Sequence, residues 1–229
     1  MQIPTHYYDT VRQIDVNDSQ TVAEWTSWEK QFANNTDLLP KVEEVKRALG
    51  SKFTRSDVVN FYKEPKIAPE IKFIAAMIWG HESDGQAKRD GRGPWKLEQT
   101  FQDSEKAESV IRSCVVTSNA KISDSYSSLK KTLKRCGPNF FTKHFYFLGK
   151  ASGLKNYPLI FDNRVAQGLA RMTGQNSTLL QMISVTPNLD ATSYQNYLTF
   201  AHGQAALIGC EPDQVELFLF NFGTTGGRS

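Results

Sequence analysis

Lys134-Arg135-Cys136-Gly137-Pro138-Asn139-Phe140-Phe141-Thr142-Lys143, followed by Leu159-Ile160-Phe161-Asp162-Asn163-Arg164-Val165, is the part of this sequence that decides the fold. Gly137-Pro138 stops one helix and opens another, because proline fixes φ near the helical value and its missing amide is not needed in a first turn. Before the break, Tyr126, Leu129 and Leu133 recur at helical spacing and predict a helix capped by Ser123 or Asp124. After it, 140–148 is an apolar helix with Gly149 as its stop. A loop through Pro158 leads to Asp162, which can cap a helix over 163–173 that turns Val165, Leu169 and Met172 inward and stops at Gly174. The segment therefore reads helix, tight turn, helix, loop, aspartate, helix.

The flanking sequence carries the same punctuation. Pro40 opens 41–49, with Val42, Val45 and Leu49 on one stripe, and Thr54 can cap 55–62. Pro69 opens 70–79, an almost wholly apolar run that reads as a central buried helix ending at Gly80. Residues 80–100 hold several glycines and a proline and read as a long exposed loop. Ser193 caps 194–208, and Pro212 opens a last helix ending near Phe222. Alternating β-branched patterns are scarce, so the class is all-α, with residues 1–229 as one domain.

Composition narrows the function classes. Three cysteines, Cys114, Cys136 and Cys210, and four scattered histidines give neither a disulfide scaffold nor zinc spacing, so no metal and no cofactor are expected. No membrane-length apolar run and no secretion signal occur, and the expected location is cytoplasmic. The net charge of +3 is modest, but it is segregated: residues 130–171 hold nine cations against one acid, Asp162. Such a face can steer a phosphate backbone, although it can equally be a solvated surface.

The quoted segment resembles the helix-hairpin-helix DNA glycosylases, and within them the lysine-bearing 8-oxoguanine glycosylase branch. That branch carries Thr-Lys at the end of the hairpin and an aspartate 19 residues after the lysine. Here Thr142-Lys143 is followed by Asp162 at the same interval. Phe161-Asp162-Asn163-Arg164-Val165 is similar to the family's Val-Asp-x-His-Val/Met signature, with Arg164 in the histidine position. The family hairpin Leu-Pro-Gly-Val-Gly is replaced by Gly137-Pro138-Asn139-Phe140-Phe141, in which Asn139 can take the left-handed conformation of the first glycine. The resemblance implies two helical lobes around a central cleft, a hairpin at about 125–149 and an aspartate loop at 158–164.

It also implies roles. Breaking an N-glycosidic bond builds positive charge on the sugar, which a carboxylate in a water-poor pocket stabilises; Asp162 is the candidate. Lys143 would attack C1′ and form a Schiff base, which permits strand cleavage as an AP lyase and requires an amine whose pKa is depressed, and which is therefore neutral, through burial or neighbouring cations. The target base must first leave the stack. Asn139, Thr142, Arg164, Lys134 and Arg135 are candidate DNA contacts; Trp79, His81, Trp95, Phe218 and Phe222 are candidate walls of the base pocket, although Phe218 and Phe222 share a helical face where core packing is the plainer use. Each member of the pair has an ordinary reading too, Asp162 as an N-cap and Lys143 as a solvated cation. Their joint occurrence with the hairpin break favours chemistry.

The implied partner is double-stranded DNA containing a modified base, bound by a monomer. The expected substrates are 8-oxoguanine, in repair, or the glucosylated hydroxymethylcytosine of phage DNA, in a bacterial anti-phage defence enzyme associated with the nucleoid. The alternatives are a non-catalytic DNA-binding hairpin module and a helical interaction protein with an incidental basic face.

Overall fold

The structure is a computed structural model that describes residues 2–17, 20–82, 92–172 and 190–225. Twelve α-helices occur among the described residues: α1 (Tyr8–Arg12), α2 (Trp25–Phe32), α3 (Leu38–Leu49), α4 (Arg55–Lys63), α5 (Pro69–Glu82), α6 (Arg92–Thr100), α7 (Ser104–Arg112), α8 (Asn119–Thr132), α9 (Pro138–Ala151), α10 (Asn163–Met172), α11 (Ala191–Ile208) and α12 (Pro212–Thr225). The fold is all-α. Among the described residues the strand content is one two-residue antiparallel ladder, β1 (Thr21–Val22) on β2 (Lys52–Phe53), with Thr21 opposite Phe53. No helix among the described residues is long and apolar enough to cross a membrane.

Helix α5 is the hub. Phe73, Ile74, Ala75, Ala76 and Ile78 have no exposed surface, because α3, α4, α6, α7 and α9 pack around them. A helix surrounded in this way is apolar on every face rather than on one stripe, as its sequence is. The hairpin helix α9 lies against α5 and α4, where Phe147 meets Trp79 and Tyr62, while its buried Phe141 and Phe145 meet Tyr126 of α8 and Tyr194 of α11. Helix α10 packs most extensively on α12. Their backbones touch: a Cβ on Gly168 would stand 1.9 Å from the carbonyl oxygen of Leu219, and one on Gly223 would stand 2.0 Å from that of Arg164.

Several sequence-derived boundaries move, each for a local reason. Helix α5 does not end at Gly80 but continues to Glu82, and Arg92–Thr100 is helix α6 rather than loop. Helix α8 starts earlier than expected, at Asn119, because Ser118 accepts from the amide of Lys121 and caps it; Ser123 and Asp124 lie inside it. Helix α9 runs through Gly149 to Ala151, and the glycine serves a close approach instead: a Cβ there would meet Pro158 Cδ at 2.6 Å. Helix α11 is capped by Asp190, which accepts from Ser193, rather than by Ser193 itself. Thr54 caps α4 as read, in a reciprocal capping box with Asp57. The expected stop at Gly174 lies outside the described residues.

Candidate active site

The hairpin turn is made differently from the family pattern. Asn139 is the second residue of α9 and helical; the residue with left-handed backbone is Arg135, φ 56°, which alone among the described non-glycine residues has positive φ. Pro138 occupies the first turn, and the amides of Phe140 and Phe141 both bond back to the carbonyl of Gly137. Phe141, in the place of the second family glycine, is fully buried and meets the edge of Tyr126 at 4.9 Å. The expectation for Asn139 is therefore corrected: a proline-led helix needs no left-handed residue within it, and the reversal is made before Cys136.

From this helix Lys143 reaches Asp162. Its Nζ lies 3.8 Å from Asp162 Oδ2, and the residue is only 5% exposed. The amine also donates to the carbonyl oxygen of Asn139, one turn back on its own helix, and lies 5.6 Å from the Phe140 ring centroid. Asp162 is the N-terminal cap of α10: its Oδ1 accepts from the amides of Arg164 and Val165, both at 3.0 Å. The carboxylate thus holds two orphan amides with one oxygen and meets the amine with the other.

The extended run leading to Asp162 is pinned by side chains. Thr142 Oγ1 accepts from the amide of Phe161 at 3.1 Å, Tyr194 donates to the carbonyl of Leu159 at 2.7 Å, and Tyr197 donates to that of Ile160 at 2.9 Å. All three side chains are buried, so these bonds are shielded from competing water. Thr142 is fully buried and has no surface to offer DNA; its hydroxyl joins α9 to the aspartate loop instead.

Both residues of the pair line a cleft of about 600 Å³, together with Trp79, Gly80 and His81 of α5, Lys96 of α6, Asn139 and Phe140 of α9, Arg164 of α10, and Leu217, Phe220 and Asn221 of α12. The His81 ring stacks on Phe140 with centroids 4.3 Å apart. Burial, and then the charges of Lys96 and Lys143, push its pKa down to about 3, so its imidazole is neutral at ordinary pH. Arg55 and Glu216 form a bidentate pair in the wall at 2.8 and 3.2 Å, with the guanidinium over the Trp79 and Tyr146 rings. Burial opposes the charge on Arg55, but Glu216 outweighs it and holds the guanidinium above its usual range. Burial also raises the Glu216 carboxyl, which Arg55 pulls back down.

The cleft therefore gathers Lys143, Asp162, Asn139, Arg164, Trp79 and His81 and leaves other candidates outside. Phe218 and Phe222 face Tyr7, at 5.3 and 5.7 Å between centroids, and it is Phe220 that meets the cleft, with Arg164 over its ring at 5.0 Å. Trp95 is 40% exposed and carries Arg135 over its ring at 5.7 Å, and Lys134 bonds to Gln102; none of the three lines the cleft. Sequence reasoning missed Gly80, Arg55, Glu216 and the two tyrosines. An acid at 216 between Val215 and Leu217 was a visible anomaly in an apolar helix. Arg55, directly after a cap, looked like any exposed first-turn residue.

Neither the curated proteins nor the solved structures contain a significant match to this chain. A family model described as "Putative 8-oxoguanine DNA glycosylase OGG-like protein" matches residues 15–220, extending the likeness far beyond the hairpin and the aspartate loop. The chain belongs to this 8-oxoguanine DNA glycosylase-like family.

Proposed function

We propose that this protein extrudes a modified base from double-stranded DNA into the cleft and breaks its N-glycosidic bond, with Lys143 and Asp162 as the catalytic pair. The observation that carries the reading is the 3.8 Å approach of amine to carboxylate within one cleft large enough for a nucleotide. In the reaction the lysine nitrogen bonds to C1′, the C1′–N bond breaks, and the base leaves with the electron pair and takes up a proton. The nitrogen gives its own proton to solvent, the sugar ring opens, and an imine remains. Asp162 Oδ2 stabilises the positive charge that develops on the sugar, an effect concentrated in the transition state. Water then releases the abasic aldehyde; alternatively, loss of a C2′ proton expels the 3′ phosphate and cuts the strand.

The walls bear on the substrate. A cleft of about 600 Å³ whose lining includes Gln13, Asp15 and Asn139 offers hydrogen-bonding groups beyond those a flat base uses. This favours a base with a hydroxylated substituent, such as glucosylated hydroxymethylcytosine in phage DNA, and a role in anti-phage defence. The name of the matched family favours 8-oxoguanine. Arg164 at the rim, and Lys134 and Arg135 on the hairpin side, are the proposed phosphate contacts of a monomer on DNA.

The test is incubation with duplexes carrying 8-oxoguanine, hydroxymethylcytosine or its glucosylated form, scoring free base and abasic sites. Release from one of these, lost in Lys143→Ala and Asp162→Asn, is the expected result. Salt-dependent DNA binding with no release from any duplex would replace the enzyme by a DNA-binding module.

A further inference from the structure

Gly80 stands in the interior of α5, two residues before its end, at a position where the helix neither turns nor adopts positive φ. Glycine is among the weakest helix formers, so its presence there calls for a reason other than backbone conformation. The reason is space. A Cβ at position 80 would lie 2.5 Å from Cδ of Lys143, 2.7 Å from its Cε and 3.6 Å from its Nζ. The aliphatic half of the lysine therefore lies directly on the bare backbone of α5, between the cleft residues Trp79 and His81.

We infer that Gly80 is a positioning residue for Lys143, its missing side chain forming the lane that sets where the amine emerges into the cleft. This rests on the reading of Lys143 as the nucleophile. The atoms in conflict belong to the flexible end of one side chain rather than to backbone. An added methyl group therefore displaces the lysine and leaves the α5–α9 packing in place. Alanine also favours the helix more than glycine does. Gly80→Ala should consequently separate two properties that a packing defect would lose together: the protein stays as stable as before, or becomes more so, while the amine misses the sugar.

The experiment uses a duplex with a single abasic site, which bypasses the identity of the base. The amine adds to the C1′ aldehyde, water leaves, and borohydride delivers hydride to the imine to give a stable secondary amine between protein and DNA. Trapping rates at saturating duplex, the Kd for that duplex and Tm are measured for the wild type, Gly80→Ala and Lys143→Ala. For Gly80→Ala the expected result is about a 100-fold slower trapping rate, the order that a misplacement of about 1 Å brings, with Kd unchanged and Tm unchanged or raised. Gly80→Ala trapping at the wild-type rate while Lys143→Ala does not trap would overturn the inference and spare the nucleophile. A loss of trapping that follows a lowered Tm and weakened DNA binding would overturn it in favour of simple packing. Lys143→Ala trapping like the wild type would remove the nucleophile reading and this inference with it. A crystal structure of Gly80→Ala gives a readout independent of activity: Nζ displaced from the Asn139 carbonyl is expected, and an unmoved amine overturns the proposal.

Discussion

Thr142 Oγ1 accepts a hydrogen bond from the amide of Phe161 at 3.1 Å, joining the residues that immediately precede Lys143 and Asp162. The same hydroxyl donates to the carbonyl of Pro138 at 2.6 Å. One buried side chain thus couples the first turn of α9 to the start of the α10 cap, across the same sequence interval that separates the amine from the carboxylate. The Thr-Lys pair is then a unit, with one residue holding the distance that the other uses.

Thr142→Val should orphan the buried Phe161 amide and lower stability by about 1–3 kcal/mol in urea unfolding. It should also slow base release more than it weakens DNA binding, because the aspartate loop loses its tie to α9. Thr142→Ser keeps the hydroxyl and should restore most of both. Equal behaviour of the valine and serine variants would remove the coupling role.

Asp162 caps α10, and the proposed reaction gives it a second duty that one substitution can separate from the first. Asparagine is as good an N-cap as aspartate, so Asp162→Asn should change stability by only a few tenths of a kcal/mol while losing the charge. Single-turnover base release should fall by about 10²–10³. Asp162→Ala should lose the activity and, in addition, about 1 kcal/mol of stability. Chemical denaturation alongside kinetics distinguishes the two variants.

At Gly168 the conflict is with backbone, since an added Cβ would meet the carbonyl oxygen of Leu219 at 1.9 Å. Gly168→Ala must push α10 away from α12 and should cost about 1–3 kcal/mol or more in urea unfolding. A variant as stable as the wild type would show that the two helices are not held this close.

Acid should destabilise the fold through two histidines. Burial, aided by Lys96 and Lys143, holds His81 at about 3, and burial, aided by Lys72, holds His144 at about 3, against an ordinary 6.5. Between those values the unfolded chain takes up protons that the native protein refuses, so their contribution is intact above about pH 6.5 and falls away as the pH drops toward 3. At pH 5 each should have removed about 2 kcal/mol. His144→Gln, which can still hydrogen-bond to Tyr62, should flatten the dependence of stability on pH by about 1.4 kcal/mol per unit between pH 4 and 6. An unchanged slope would place the histidine in water.

Arg135 permits a test of the proposed DNA face free of backbone penalty. With φ 56° it occupies a conformation that glycine adopts readily, so Arg135→Gly removes a cation and relieves the backbone together. The slope of log K against log salt for duplex binding should become shallower by about 0.9 with stability not reduced. An unaltered slope would put the hairpin turn away from the phosphates.

The sequence announced those parts of the site that depend on neighbours along the chain. Gly137-Pro138 marks the hairpin break, and Asp162 marks both a cap and an interval from Lys143, all of it local. The rest depends on which surfaces meet. The spacing of Phe218 and Phe222 defines a helical face but not what that face opposes, and the fold gives it to Tyr7 while Phe220 takes the cleft. Gly80 read as a helix stop because the lysine lying on it comes from α9, far along the chain. Tyr194 and Tyr197 lie in a stretch read only as a helix; that their hydroxyls hold the carbonyls before Asp162 depends on how α11 folds back.

If Lys143 is the proposed nucleophile, its burial and its bond to the Asn139 carbonyl have a consequence for the idle protein. An amine reactive enough to capture a sugar aldehyde would also react with stray metabolite aldehydes and acylating agents. With its nitrogen bonded to its own helix and its stem laid along α5, it is only 5% exposed and offers such reagents little surface. Exposed lysines such as Lys131 and Lys155 should accumulate adducts during storage while Lys143 stays clean.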